Sequence, residues 1–91
     1  MIEIYRKKPV IIEAIQWKGS NQKEVQSFIN ENGYIKGDYI DIGTSEGVMV
    51  ASIGDYIIKE PYDKARGFYP CKEEVFLQTY EKVEQEVDNV R

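Results

Sequence analysis

"PVIIEAIQWKGSNQKEVQSFINENG", residues 9–33, carries two different periodicities joined by a short turn. Its first part, 9–17, is β-branched and apolar on both alternating faces: Val10, Ile12 and Ala14 on one, Ile11, Ile15 and Trp17 on the other. Such a run fits a strand covered on both sides, and Pro9 can open it but not sit at its middle. We therefore expect it at the centre of a sheet. In the second part Val25, Phe28 and Ile29 form one helical stripe. Asn21 with Glu24 three residues on is a capping-box-like start, Ser20 is a competing cap, and Gly33 suits a left-handed stop. The pattern predicts a helix over 21–32 whose stripe is buried against the 9–17 strand.

Working toward the C-terminus, short strand patterns alternate with turn signals. They are "YIKGDYIDIG" around Ile35–Ile42, "VMVASI" at 48–53 and "YIIKE" at 56–60, with "TSEG" and "GD" as turns. "FYP" at 68–70 predicts a short edge strand ending at Pro70. Phe76, Tyr80, Val83 and Val87 then follow a four-three-four spacing suited to a helix. The order predicts a single α+β domain over 1–84: a small, mainly antiparallel sheet with one long helix and a C-terminal helix packed on one face. Residues 85–91 are acid-rich and expected to fray.

Ninety-one residues are near the lower limit for a domain with its own core, and 42 % hydrophobic with 31 % charged residues is a globular balance. A net charge of −4 argues against duplex nucleic acid or an anionic membrane as partner, because both require a concentrated positive field. Cys71 is the only cysteine, so no internal disulfide can form. No signal peptide pattern opens the chain and no apolar run reaches the length of a membrane span. These features predict a cytoplasmic protein.

The chain contains no His, which removes the commonest general base and metal ligand. Cys71 lacks a base partner and reads as a packing residue. Asp38, Asp41 and Asp55 are scattered, and Asp55 in "GD" is expected to bond to its own turn. No phosphate loop, dinucleotide fingerprint or calcium loop is present. We expect no catalytic residue, no metal site and no cofactor.

The basic residues are more clustered. Arg6, Lys7 and Lys8 precede the first strand pattern, Lys59, Lys64 and Arg66 surround the loop after "YIIKE", and Lys72 begins the last helical segment. We expect Arg66, Tyr69 and Lys72, assisted by Arg6, Lys7 and Lys8, to form a binding end with Tyr56 and Lys59 close by. Guanidinium and ammonium groups would take anionic oxygens, and the aromatic rings a base face. The competing interpretation is that these are solvated charges guarding strand edges. Trp17 is assigned to the core and not to a ligand shelf.

"YRKKPVIIEAIQWKG", "ASIGDYIIKE" and "GFYPCKEEVFLQTYEKV", in this order, resemble the small phage and prophage proteins grouped under the name Pro-Gly-Asp-Tyr-Gly. The likeness covers nearly the whole chain around a variable middle. This sequence departs from it with Ile53 before Gly54 and without a Pro after Lys72. The resemblance implies a phage-borne accessory protein acting inside a bacterial host, and makes Tyr-Pro-Cys-Lys a joint between sheet and last helix.

Two functions follow as expectations. The first is a non-catalytic module capturing a small anionic or nucleotide-like ligand, in a phage setting a host defence signal, in a pocket between protomers of a homo-oligomer. The alternative is a protein-interaction module that inhibits a host protein or serves as a minor phage assembly component. An enzyme ranks last.

Overall fold

The computed structural model describes residues 1–6, 11–60 and 67–83. The elements are β1 (Glu13–Gln16), α1 (Gln22–Ile29), β2 (Gly33–Lys36), β3 (Tyr39–Thr44), β4 (Gly47–Ser52), β5 (Tyr56–Lys59), β6 (Phe68–Cys71) and α2 (Glu73–Thr79). A 3-10 turn, Asn30–Asn32, follows α1. The protein is an α+β domain, as expected, with every strand pairing antiparallel. The strands divide, however, into two three-stranded sheets, β1-β5-β6 and β2-β3-β4, in place of the single sheet expected.

One apolar cluster joins the two sheets. Trp17, Val25, Ile29, Ile40, Ile42, Ala51, Ile57 and Phe68 are buried together, with Ile15, Phe28 and Ile35 packed against them. The expected stripe of α1 is therefore in the core, although Phe28 is only half-buried and meets Phe68 edge-to-face at 5.4 Å. Trp17 is fully buried, and its Nε1 donates to the carbonyl of Asp38 at 2.8 Å. That bond satisfies the one polar atom of the ring and ties the end of β1 to the β2–β3 turn.

Several boundaries differ from expectation for identifiable reasons. The 9–17 strand is regular only over β1, and β1 is an edge strand; β5 is central. Ile57 and Ile58, consecutive and therefore facing opposite ways, are both buried, which is the signature of a central strand, whereas β1 begins on exposed Glu13. "YIKGDYIDIG" is a hairpin, because Gly37 (φ 69°) supplies the first central position of a type II′ turn. The reversal after α1 is made by Asn30 (φ 53°), while Gly33 is extended. Gly33 is needed for a different reason: a Cβ there would sit 2.6 Å from the carbonyl oxygen of Asp41 on β3.

Asn21 occupies the N-cap of α1 without making a side-chain cap. Its Oδ1 accepts from the Lys18 amide at 2.9 Å, and its Nδ2 donates to the Gln16 carbonyl at 2.9 Å, so it braces the β1–α1 turn. The last helix is shorter than its spacing suggests: Tyr80 is extended, with φ −125° and ψ 152°. Val87 and the expected frayed tail lie outside the described residues. The two helices also lie on opposite faces of β1-β5-β6, not on one face. Residues of α1 share the core with Ile57 and Phe68, whereas Phe76 of α2 stacks on Tyr56 behind them. No helix among the described residues is long and apolar enough to cross a membrane.

Candidate functional site

The residues expected to form a binding end are distributed by the alternation of β5 and β6. Tyr56 faces α2; its ring lies parallel to that of Phe76, centroids 3.9 Å apart, and Tyr80 continues the aromatic row at 5.0 Å from Phe76. Lys59, three residues on, emerges on the other face. Its ammonium lies 5.9 Å from the centre of the Phe68 ring and 4.0 Å from the Glu13 carboxylate. Tyr69 shares the Tyr56 face, and its hydroxyl donates to Glu60 at 3.3 Å. Arg6 is exposed ahead of β1. Lys7, Lys8 and Arg66, together with Lys64, lie outside the described residues.

Lys72 is engaged elsewhere. Its ammonium donates to Oδ2 of Asp55 at 3.2 Å, and Asp55 is the one buried charged side chain among the described residues. The same carboxylate oxygen accepts the Ser52 amide at 2.9 Å, while the Asp55 amide returns to the Ser52 carbonyl at 2.9 Å. Gly54 (φ 102°) provides the backbone conformation this turn requires. The turn also receives the end of β1: Trp17 donates to the Asp55 carbonyl at 2.8 Å, the Gly54 amide to Trp17 at 2.7 Å, and Gln16 Nε2 to Gly54 at 2.9 Å. "GDY" and "YPCK" thus meet in space and form a clasp holding β1, β4, β5 and the start of α2. The expectation that Asp55 bonds to its own turn holds, and Lys72 extends that clasp to α2.

Pro70 fits the same logic. Hydrogen-bonded pairs of β5 and β6 fall at Glu60–Gly67 and, two residues on each time, at Ile58–Tyr69 and Tyr56–Cys71. Pro70 therefore lies opposite Ile57 at a position whose backbone nitrogen points away from the sheet, where a missing N–H costs nothing. Next to it, partial burial and the nearby Asp55 carboxylate push the Cys71 thiol pKa above its ordinary value. Both effects disfavour the thiolate that nucleophilic chemistry needs. No group of three Cys, Asp or Glu side chains able to hold a metal occurs among the described residues.

What sequence reasoning missed is a groove of about 650 Å³ between β1 and α2. Ile12, Ala14 and Tyr56 line it from the sheet side, and Phe76, Tyr80 and Val83 from the α2 side. Its charged lining is mixed and slightly acidic, Glu13, Glu24 and Glu81 against Lys18 and Lys82. The signal was present in the spacing of Phe76, Tyr80 and Val83, but a stripe alone does not say whether its partner surface fills it. Chemically the groove offers apolar and aromatic contact with charges of both signs, and no assembled set of cations for a phosphate among the described residues.

No family model, curated protein or solved structure matches the chain. The likeness to the Pro-Gly-Asp-Tyr-Gly proteins therefore rests on the quoted motifs alone.

Proposed function

We propose that this protein is a non-catalytic interaction module that takes an apolar segment of a bacterial host protein into the groove between β1 and α2. The observation that carries this reading is the groove itself, aromatic and apolar inside with a rim of both charges. Apolar pockets with sparse polar groups are the usual sites of recognition, and aromatic side chains dominate the energetics of protein interfaces. The nucleotide-capture reading draws less support, because Lys59 lies on the opposite sheet face and Lys72 is bound to Asp55. The raised thiol pKa of Cys71 and a chain without His favour binding over turnover. A phage-borne inhibitor fits the motif resemblance.

The test places a photo-crosslinking residue at Leu77, on the groove lining and exposed, in bacteria that express the protein. A discrete adduct that competes away with uncrosslinked protein and disappears on Tyr80→Ala is the expected result. In parallel, a panel of nucleotides and cyclic nucleotides is screened by thermal melt. A shift that Arg66→Ala removes, without any adduct at Leu77, would replace this proposal with ligand capture.

A further inference from the structure

β4 is the least protected of the described strands. Over Gly47–Ser52, "GVMVAS", it carries neither charge nor proline, and it lies at the edge of its sheet. Edge strands normally carry such residues because unpaired backbone groups invite another strand. Val48, Met49 and Val50 are all exposed, at 70 %, 43 % and 53 %.

The register identifies which backbone groups are free. The two-residue turn at Gly37–Asp38 makes Lys36–Tyr39 a hydrogen-bonded pair, so β3 directs Tyr39 and Asp41 toward β2. It then has Ile40, Ile42 and Thr44 for β4, whose Ala51, Met49 and Gly47 are their partners. Val48, Val50 and Ser52 consequently point their N–H and C=O outward. At Ser52 both groups are taken by Asp55, as described above. Among the described residues, nothing takes the outward groups of Val48 and Val50.

We infer that β4 pairs antiparallel with β4 of a second copy of this chain about a two-fold axis at Met49, giving a continuous six-stranded sheet. In that register Val48 faces Val50 of the other copy and Val50 faces Val48, so both free residues on each strand are satisfied by four interchain hydrogen bonds. Shifting the axis to Val50 would require the groups of Ser52 that Asp55 already holds. Shifting it to Val48 would leave Val50 opposite Glu46, outside the strand. A two-fold contact demands a surface that is its own complement. A strand without charge meets that condition, since no like charges are opposed, and Glu46 falls opposite the neutral Ser52. On the outer sheet face the exposed Val48 and Val50 of both copies also come together. This pairing leaves the groove beside α2 free and does not depend on what the groove binds.

Light scattering after size exclusion, across a range reaching about 1 mM, should show conversion from one to two chain masses. Val50→Pro removes one of the outward N–H groups without touching the β3 ladder, and should weaken association at least tenfold. Should that variant fold poorly, amide exchange of the unaltered protein decides. The Val48 and Val50 amides should slow at least tenfold between dilute and concentrated samples, while the Tyr34 amide does not change. A monomer at every concentration, or a dimer in which both amides exchange as fast as in dilute solution, would overturn the inference and leave the edge open to a strand of another protein.

Discussion

The two sheets have three strands each and lie on the same core, yet they are finished differently. β1-β5-β6 is covered twice, by the shared core and α1 on one face and by α2 on the other. β2-β3-β4 buries Ile40, Ile42 and Ala51 inward and leaves Tyr34, Tyr39, Val48 and Val50 in solvent. The difference shows that burial on both faces, not strand length or apolar content, distinguishes a structural sheet from one with surface to spare. It also orders the sensitivity of the molecule to substitution, and four experiments can break or sharpen that order.

The largest effect is expected at Ile58. It is 1 % exposed on the α2 side of β5, while its neighbour Ile57 is 0 % exposed on the core side. Ile58→Ala and Ile57→Ala should each cost about 2–5 kcal/mol by denaturant unfolding, because each leaves a cavity in packed surroundings. A loss at Ile58 below about 0.5 kcal/mol, the range of surface sites, would mean that only one face of this sheet is packed.

Asp55→Ala comes next. The variant leaves the Ser52 amide and the Lys72 ammonium without their shared acceptor, and hydrogen bonds to charged groups are worth about 1.5–3 kcal/mol. Lys72→Met should cost clearly less, since its side chain is 67 % exposed and the turn survives without it. Equal losses would show that the ion pair, and not the turn, holds the clasp. Phe76→Leu is smaller still. It keeps most of the apolar contact under α2 and removes the ring stack on Tyr56, for an expected loss of about 0.5–1.5 kcal/mol. No loss at all would argue that α2 lies on the sheet without being held by it.

The sequence made the inner face of both sheets legible, because Val25, Ile29, Trp17 and the β-branched runs obey simple periods. It also pointed to the antiparallel α+β class. What it hid was partnership. The 9–17 run and "YIIKE" are both apolar on alternate sides, and nothing local says that β5 and not β1 is central. Gly33 looked like a helix stop, but its requirement comes from the Asp41 carbonyl of β3, eight residues further on. The cationic end failed to assemble from the described residues for the same reason: Tyr56 and Lys59 are close in sequence but separated by the pleat, and Lys72 answers to Asp55, seventeen positions away. The groove became visible only when the stripe of α2 met the back of β1.

The smallest expected effect is at Val50, and it tests the comparison from its other side. Val50 pairs with Asp41, itself the partner of Tyr34, on the outer face, where Asp41 already forms an ion pair with Lys36 at 3.1 Å, so its surroundings are solvated and polar. Val50→Thr keeps the β-branch that suits a strand and exchanges one methyl for a hydroxyl that water can satisfy. Measured in dilute solution, stability should change by less than about 0.5 kcal/mol. The same exchange at Ile42, on the inner face of this sheet and fully buried, would place a hydroxyl among Trp17, Ile29 and Ala51. A polar group there, with one apolar carbon lost as well, should cost about 2 kcal/mol or more. If Val50→Thr proves as damaging as Ile42→Thr, the outer face is packed against something even in the isolated chain, and the contrast between the two sheets disappears.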